Sequence, residues 1–244
     1  MTEPDLMQER LSSLLKNYKP SQSAIELINN TPIVLLVGVS GAGKDTIKHK
    51  LLDSGEYHHI ISHTTRAMRS NGGVMEQDGV EYYFINKDQA ANMLERGEYV
   101  EANEYSGNIY GTSVAEIKKA HDEGKIAITD MEIQGVAEYK ALAPNIIAVF
   151  VLPPSYEEWQ RRLQTRYGAT GADAADMQRR MDTAIAELQE ALDRPYYHFV
   201  VNDNLDEAVK AADSIAHHDN EFTTIDKSFR VWAEKLLEDL QAGR

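Results

Sequence analysis

The chain alternates short, mostly apolar runs with longer segments whose apolar positions recur every three or four residues. Ile33–Val37, Ile126–Asp130 and Ile146–Leu152 are of the first kind, with Phe199-Val200-Val201 a shorter instance. Such runs predict strands of a buried parallel sheet. Between them the periodicity predicts helices: Lys44 to about Leu52, a segment after Gln134-Gly135, one capped by Pro153-Pro154-Ser155 and running to about Arg166, a long one to about Leu192, and Leu205–His217. Strands alternating with helices imply an α/β fold, a mostly parallel sheet flanked by helices. Residues 57–112 break this rhythm. Tyr57–Ser62, Glu81–Ile85 and Gly107–Thr112 read as short strands, and the helices Lys87–Arg96 and Val114–Glu123 end at Gly97 and Gly124. An inserted, small β-containing subdomain over about 62–112 is expected.

Both ends carry amphipathic helical patterns. Leu6, Met7, Leu11, Leu14, Leu15 and Tyr18 recur at helical spacing and Lys19-Pro20-Ser21 stops them, so residues 1–30 form a helical appendage to a core domain spanning 31–218. In 219–244, Phe222, Ile225, Phe229, Trp232, Leu236 and Leu240 make one apolar stripe. Packing against the core or the N-terminal helix is the favoured reading; a homodimer contact through the terminal helices is the alternative.

Composition narrows the function classes. With 42% hydrophobic and 26% charged residues the chain reads as an ordinary soluble protein. It has no cysteine, which excludes disulfide scaffolds and cysteine-ligated zinc. No apolar run reaches the roughly 20 residues needed to span a bilayer, and the acidic N-terminus lacks a secretory pattern. The expected location is the cytoplasm, with no membrane partner. A formal charge of −14 argues against a nucleic-acid binder, though arginines and lysines gathered in a cleft still suit a small anion.

The first candidate chemistry follows the first apolar run. Gly38, Gly41 and Gly43 free the backbone of Gly38-Val39-Ser40-Gly41-Ala42-Gly43-Lys44-Asp45-Thr46 to turn its N–H groups toward an anion. The helix that follows adds its positive end, and Lys44 reaches β- and γ-phosphates. This predicts a nucleotide phosphate loop. The pattern G-x-x-x-x-G-K-[ST] fails at its last position, where Asp45 replaces the hydroxyl that helps hold Mg²⁺. Either Asp45 binds the metal, directly or through water, or Thr46 supplies the hydroxyl. Asp130, ending an apolar strand, is placed to orient Mg²⁺-bound water.

The acceptor side lies in Ser62-His63-Thr64-Thr65-Arg66-Ala67-Met68-Arg69, Tyr82, Glu101, Gly107-Asn108-Ile109-Tyr110-Gly111-Thr112 and Asp130-Met131-Glu132-Ile133-Gln134-Gly135. Arg66 and Arg69 with Tyr82 and Tyr110 suit one phosphate, while Ser62, Thr112, Glu101 and Glu132 suit a purine edge. Taken singly, each of these residues has a plainer structural reading; their joint order argues against it. With these motifs, and with Leu-Pro-Pro-Ser and Val-Asn-Asp at 201–203, the chain resembles guanylate kinases from about Pro32 to His217. The resemblance implies a P-loop NTPase-like fold and transfer of the γ-phosphoryl of MgATP to GMP or dGMP. It implies that Ser62, Glu101, Thr112 and Glu132 bind guanine and that Arg66, Arg69, Tyr82 and Tyr110 bind its phosphate. ATP would meet Gly38, Ser40, Gly41, Ala42, Gly43, Lys44, Asp45, Thr46, Arg162, Arg166 and Asn202, under a lid over about 162–181. Catalysis would fall to Lys44, Arg69, Asp130, Arg166 and Arg180.

Four departures stand out. Asp45 is one, and Glu132, where these kinases carry Asp, is another. The loop Ser70–Gln77, with Gly72-Gly73, and the lid stretch Tyr167–Asp176 are longer than usual. Asp45 keeps a second kinase in view, since ribose 1,5-bisphosphate phosphokinases carry Gly-Lys-Asp-Ser. A catalytically silent, protein-binding guanylate-kinase-like module is a third reading.

Overall fold

The computed structural model describes residues 3–71, 73–167, 174–218 and 222–243. Along the chain, α1 (Glu3–Asn17) and α2 (Gln22–Asn29) precede β1 (Ile33–Val37), α3 (Lys44–Asp53) and β2 (Tyr57–His59). Next come β3 (His63–Thr64), β4 (Ser70–Asn71), β5 (Val74–Met75), β6 (Tyr83–Phe84), α4 (Lys87–Glu95), β7 (Tyr99–Tyr105) and β8 (Asn108–Ser113). The chain then runs through α5 (Val114–Glu123), β9 (Ile126–Asp130), α6 (Ile133–Leu142), β10 (Ile147–Leu152), α7 (Tyr156–Tyr167), α8 (Ala174–Asp193), β11 (Tyr197–Val201), α9 (Leu205–Ala216) and α10 (Phe222–Ala242).

The apolar runs form one parallel sheet in the order β11-β10-β1-β9-β2. Residues from Val34 to Leu36 and from Ala148 to Leu152 are wholly shielded from solvent, as strands covered by helices on both faces must be. β1 lies between β10 and β9, so the chain leaves β1 toward one edge and later returns to its other side. Ligands of open α/β sheets bind at the carboxyl end of such a strand.

A second sheet, β6-β3-β8-β7, stands apart from the first, and β4-β5 is a small hairpin. Here the structure corrects two expectations and adds a strand. Tyr57–Ser62 is not one strand. The chain leaves the parallel sheet after Ile60, whose N–H still bonds Ile128 O at 2.9 Å, and Ser62 O already accepts from Tyr83 N. Between them, the Glu116 carboxylate takes the Ile61 N–H at 3.2 Å, covering the switch between sheets. Second, α6 begins at Ile133, before Gln134-Gly135. Gly135 serves close packing there, because a Cβ would sit 3.1 Å from Met131 Sδ. In addition, β7 is a strand that hydrophobic alternation does not announce, since only Tyr99 and Val100 are buried and residues 103–105 are exposed.

The terminal helices pack on their own chain. α1 seats Leu11 against Ala90, Ala91, Leu94, Tyr99 and Ile109 beside the second sheet, and α2 contacts α5 and α6. α10 lies on α7, α8, α9 and β11, burying Ala233, Leu236 and Leu240, with Phe229 partly covered. Trp232, expected on that stripe, sits at its edge and donates its indole N–H to Pro154 O at 2.9 Å. Gly72, residues 168–173 of the lid, and the side chains of Phe222 and Ile225 lie outside the described residues. Among those described, no helix is long and apolar enough to cross a membrane.

Candidate functional site

The β1–α3 turn is built around two close backbone approaches. Gly38 adopts φ +137°, and a Cβ there would lie 2.2 Å from Val151 O. Gly43, the N-terminal cap of α3, adopts φ +97°, and a Cβ there would lie 2.2 Å from Asn202 Nδ2. Only glycine meets both conditions. Three side chains brace the loop from behind: Asn202 Nδ2 donates to Ala42 O at 2.8 Å, Trp159 Nε1 to Ser40 O at 2.9 Å, and Arg162 to Asn202 O at 2.9 Å. Lys44 Nζ folds over the loop to donate to Gly38 O and Val39 O.

A cavity of about 990 Å³ opens in front of this loop. Of the residues singled out above, Gly38, Ser40, Gly41, Gly43, Lys44, Asp45, Thr46, Tyr82, Asp130, Glu132, Arg162, Arg166, Arg180 and Asn202 line it. Ala42 is buried behind the loop. Arg162 and Asn202 also act as struts for the loop, and Arg180 is held on α8 by Asp176 at 2.8 Å. Arg179 and Glu187 line the cavity too and went unrecognised. Their signal was available, since Glu187 lies seven residues after Arg180 on the same helical face. Burial first, then the Glu132 charge, pushes the Glu187 carboxyl up to about 7.

Asp130 has an unforeseen partner. Lys48, one turn beyond Lys44 on α3, is buried and places its ammonium on Asp130 Oδ1, with Asp45 Oδ1 at 3.8 Å. Burial alone would raise the Asp130 carboxyl, but Lys48 outweighs it and holds Asp130 below its ordinary value. Burial and the same ammonium push His59 down to about 4. Asp45, Thr46 and Asp130 line one wall with hard oxygen donors, the set Mg²⁺ prefers, so these residues fit that metal. Lys48 already offsets one of the two negative charges there.

The second sheet brings the remaining residues together. Glu101 Oε1 accepts the Thr112 N–H at 3.0 Å, and Ser62 Oγ stands 3.5 Å from Thr112 Oγ1. Burial pushes the Glu101 carboxyl up to about 7, with the Thr112 hydrogen bonds opposing the rise and the Glu138 charge adding to it. Arg66 lies over the rings of Tyr82 and Phe84 at 5.4 and 5.6 Å, and the Tyr82 and Tyr110 rings meet edge-on at 5.9 Å. Its guanidinium grips Glu76 through two hydrogen bonds of 2.8 and 2.9 Å, and Glu76 also takes the Arg69 N–H at 2.7 Å. Glu76 was missed because nothing in Ser70–Gln77 marks one carboxylate above others. Tyr82 and Glu132 reach the large cavity, whereas Ser62, Arg66, Arg69, Tyr110 and Thr112 do not line it and Glu101 borders a separate cavity of about 250 Å³ with Tyr18, Asn103 and Glu138. The arrangement can hold one anion at the loop, a second at Arg66, and a polar ring system over Glu101.

A family model described as guanylate kinase matches residues 29–219. The guanylate kinase of Geobacter metallireducens is 36% identical over 185 residues, covering 75% of this chain and 86% of the relative. That of Syntrophotalea carbinolica is 35% identical over 187 residues, covering 76% and 85%. Among solved structures, the guanylate kinase from Anaplasma phagocytophilum aligns with a TM-score of 0.56 at 23% identity, over 80% of this chain and 89% of the other, which supports the fold.

Proposed function

The chain belongs to the guanylate kinase family, and from that premise we propose how its residues divide the phosphorylation of GMP by ATP. The observation that carries the acceptor side is Glu101: a half-buried carboxylate bonded to the Thr112 N–H, with Ser62 beside Thr112. Guanine presents N1–H and N2–H₂ as adjacent donors, and carboxylates match them. Glu132, at the mouth between the two sheets, supplies a second acceptor. Arg66 and Arg69, with Tyr82 and Tyr110, hold the GMP phosphate, and the Glu76 bond keeps the Arg66 fork in one orientation.

A GMP phosphate oxygen attacks the γ-phosphorus of ATP, the bond to the β,γ-bridging oxygen breaks, and ADP leaves. The attacking phosphate is already ionised, so no general base is needed. Lys44 and the loop N–H groups stabilise the charge on the transferred group, and Arg166 and Arg180 approach it from the helical side. Mg²⁺, when bound, would supply neutralisation of phosphate charge. Asp45 or Thr46 would hold it, with Asp130 on its bound water. Lys48 keeps Asp130 ionised and in place. In layout, 31–218 is the kinase domain, with the acceptor insertion over about 62–112 and the lid over about 162–181. A cytoplasmic setting goes with this reading. A homodimer through the terminal helices would use their outer faces, where Leu6 and Val231 are exposed.

Glu101 makes this reading testable by pH. Its folded value, about 7, is raised above the ordinary 4.5. Its stability contribution is therefore full below about 4.5 and is lost as pH rises through 7. GMP binding runs the opposite way, because guanine needs the ionised form. GMP affinity should rise about tenfold from pH 6 to 8 in wild type beyond any rise in Glu101→Gln, which shares the ligand's own phosphate titration. Calorimetry showing the same pH profile in both proteins would overturn the role of Glu101.

A further inference from the structure

Tyr139 is a buried polar side chain that takes no part in the phosphoryl transfer. It lies on α6 two turns beyond Glu132, with Val136 between them on the same face, and it is fully buried. Its hydroxyl lies within reach of the Thr112 side chain and near the Glu101 carboxylate, without a well-formed hydrogen bond to either. Burial, then the nearby Glu101 charge, raises its pKa well above the ordinary value. A buried hydroxyl without a partner lowers stability, and phenylalanine would fill the same space without that loss. Thr112 in turn donates its N–H to Glu101 Oε1 at 3.0 Å, and its hydroxyl stands close to the same carboxylate and 3.5 Å from Ser62 Oγ. A threonine hydroxyl has one proton and two acceptor positions, so a donor behind it decides where its proton points.

Resting on the guanine-binding reading of Glu101, we propose that Tyr139 is a positioning residue for the base: it donates to Thr112 Oγ1, turns the Thr112 proton onto Glu101, and so fixes the carboxylate against guanine N1–H and N2–H₂. The hydroxyl is thus a specificity device on the helix that also presents Glu132. Its partner is completed when the carboxylate is drawn onto the base, which explains why a fold would keep a stability cost at this position.

Tyr139→Phe separates this role from a structural one. The expected variant melts at or above the wild-type temperature, keeps its KM for ATP and its kcat at saturating GMP within twofold, and raises the KM for GMP about tenfold. Its preference for GMP over IMP, which lacks the 2-amino group, shrinks accordingly. An unchanged KM for GMP overturns the proposal. So does a lowered melting temperature, which would give the hydroxyl a structural partner. If wild type itself fails to phosphorylate GMP, the guanine-binding reading falls and this inference falls with it.

Discussion

Arg66→Ala is expected to lower kcat/KM for GMP by about three orders of magnitude while leaving the KM for ATP within about twofold. Three arrangements converge on this side chain. It makes the two-pronged pair with Glu76, donates to Ala67 O at 2.6 Å, and lies over Tyr82 and Phe84. The side chain is only 10% exposed and Glu76 14%, so water does not replace the lost partner. Removing one preorganised cationic donor from a phosphoryl site costs about 10²- to 10³-fold, and the freed Glu76 would then repel the incoming phosphate. Steady-state kinetics with GMP varied at saturating ATP measures the effect. A loss below tenfold would show that Arg66 serves only to anchor the β4–β5 hairpin.

Gly38→Ala should act on the other half of the site and on the fold together. The new Cβ would meet Val151 O at 2.2 Å and Val151 N at 3.0 Å, both main-chain atoms. β10 cannot yield, because it is paired with β1 on one side and β11 on the other. The φ of +137° adds backbone strain. A loss of about 3 kcal/mol or more follows, which for a chain of this size lowers the melting temperature by roughly 10 °C. Calorimetry should find no binding of a non-hydrolysable ATP analogue. Gly97→Ala is the matched control: it has a positive φ of +67° but no atom within 4 Å of the added Cβ, so it should lose about 1 kcal/mol and keep nucleotide binding. Equal effects at the two positions would remove close packing as the explanation.

Much of this was legible in the chain because of what burial does to sequence. β1, β9 and β10 are covered on both faces, so they read as apolar runs, and the glycine-rich turn after β1 read as a phosphate loop. Helix ends at Gly97 and Gly124 were equally plain. β7 escaped because only Tyr99 and Val100 are buried, Glu101 and Ala102 are half-buried, and the last three residues face solvent. The break at Ile60–Ser62 escaped because it depends on Glu116, a residue more than fifty positions away. Lys48 lies in the polar stretch Lys44-Asp45-Thr46-Ile47-Lys48-His49-Lys50, where nothing local says which lysine will be buried. Only the packing of α3 over the end of β9 selects it. The guanine-side residues came from motif order. The Arg66–Glu76 pair and the Tyr139 hydroxyl needed coordinates, since both join segments whose spacing carries no signal.

The phosphate-loop cavity, bordered by Tyr82 and Glu132, would serve a guanine-specific acceptor site on the second sheet. A coupled phosphoryl-transfer assay with MgATP across GMP, dGMP, AMP, UMP and ribose 1,5-bisphosphate tests it most directly. Turnover is expected with GMP, with dGMP next, and kcat/KM at least about a hundredfold lower for AMP and UMP, whose edges leave the Glu101 and Glu132 carboxylates without their donors. Preferred turnover of ribose 1,5-bisphosphate, or none with GMP, would contradict it.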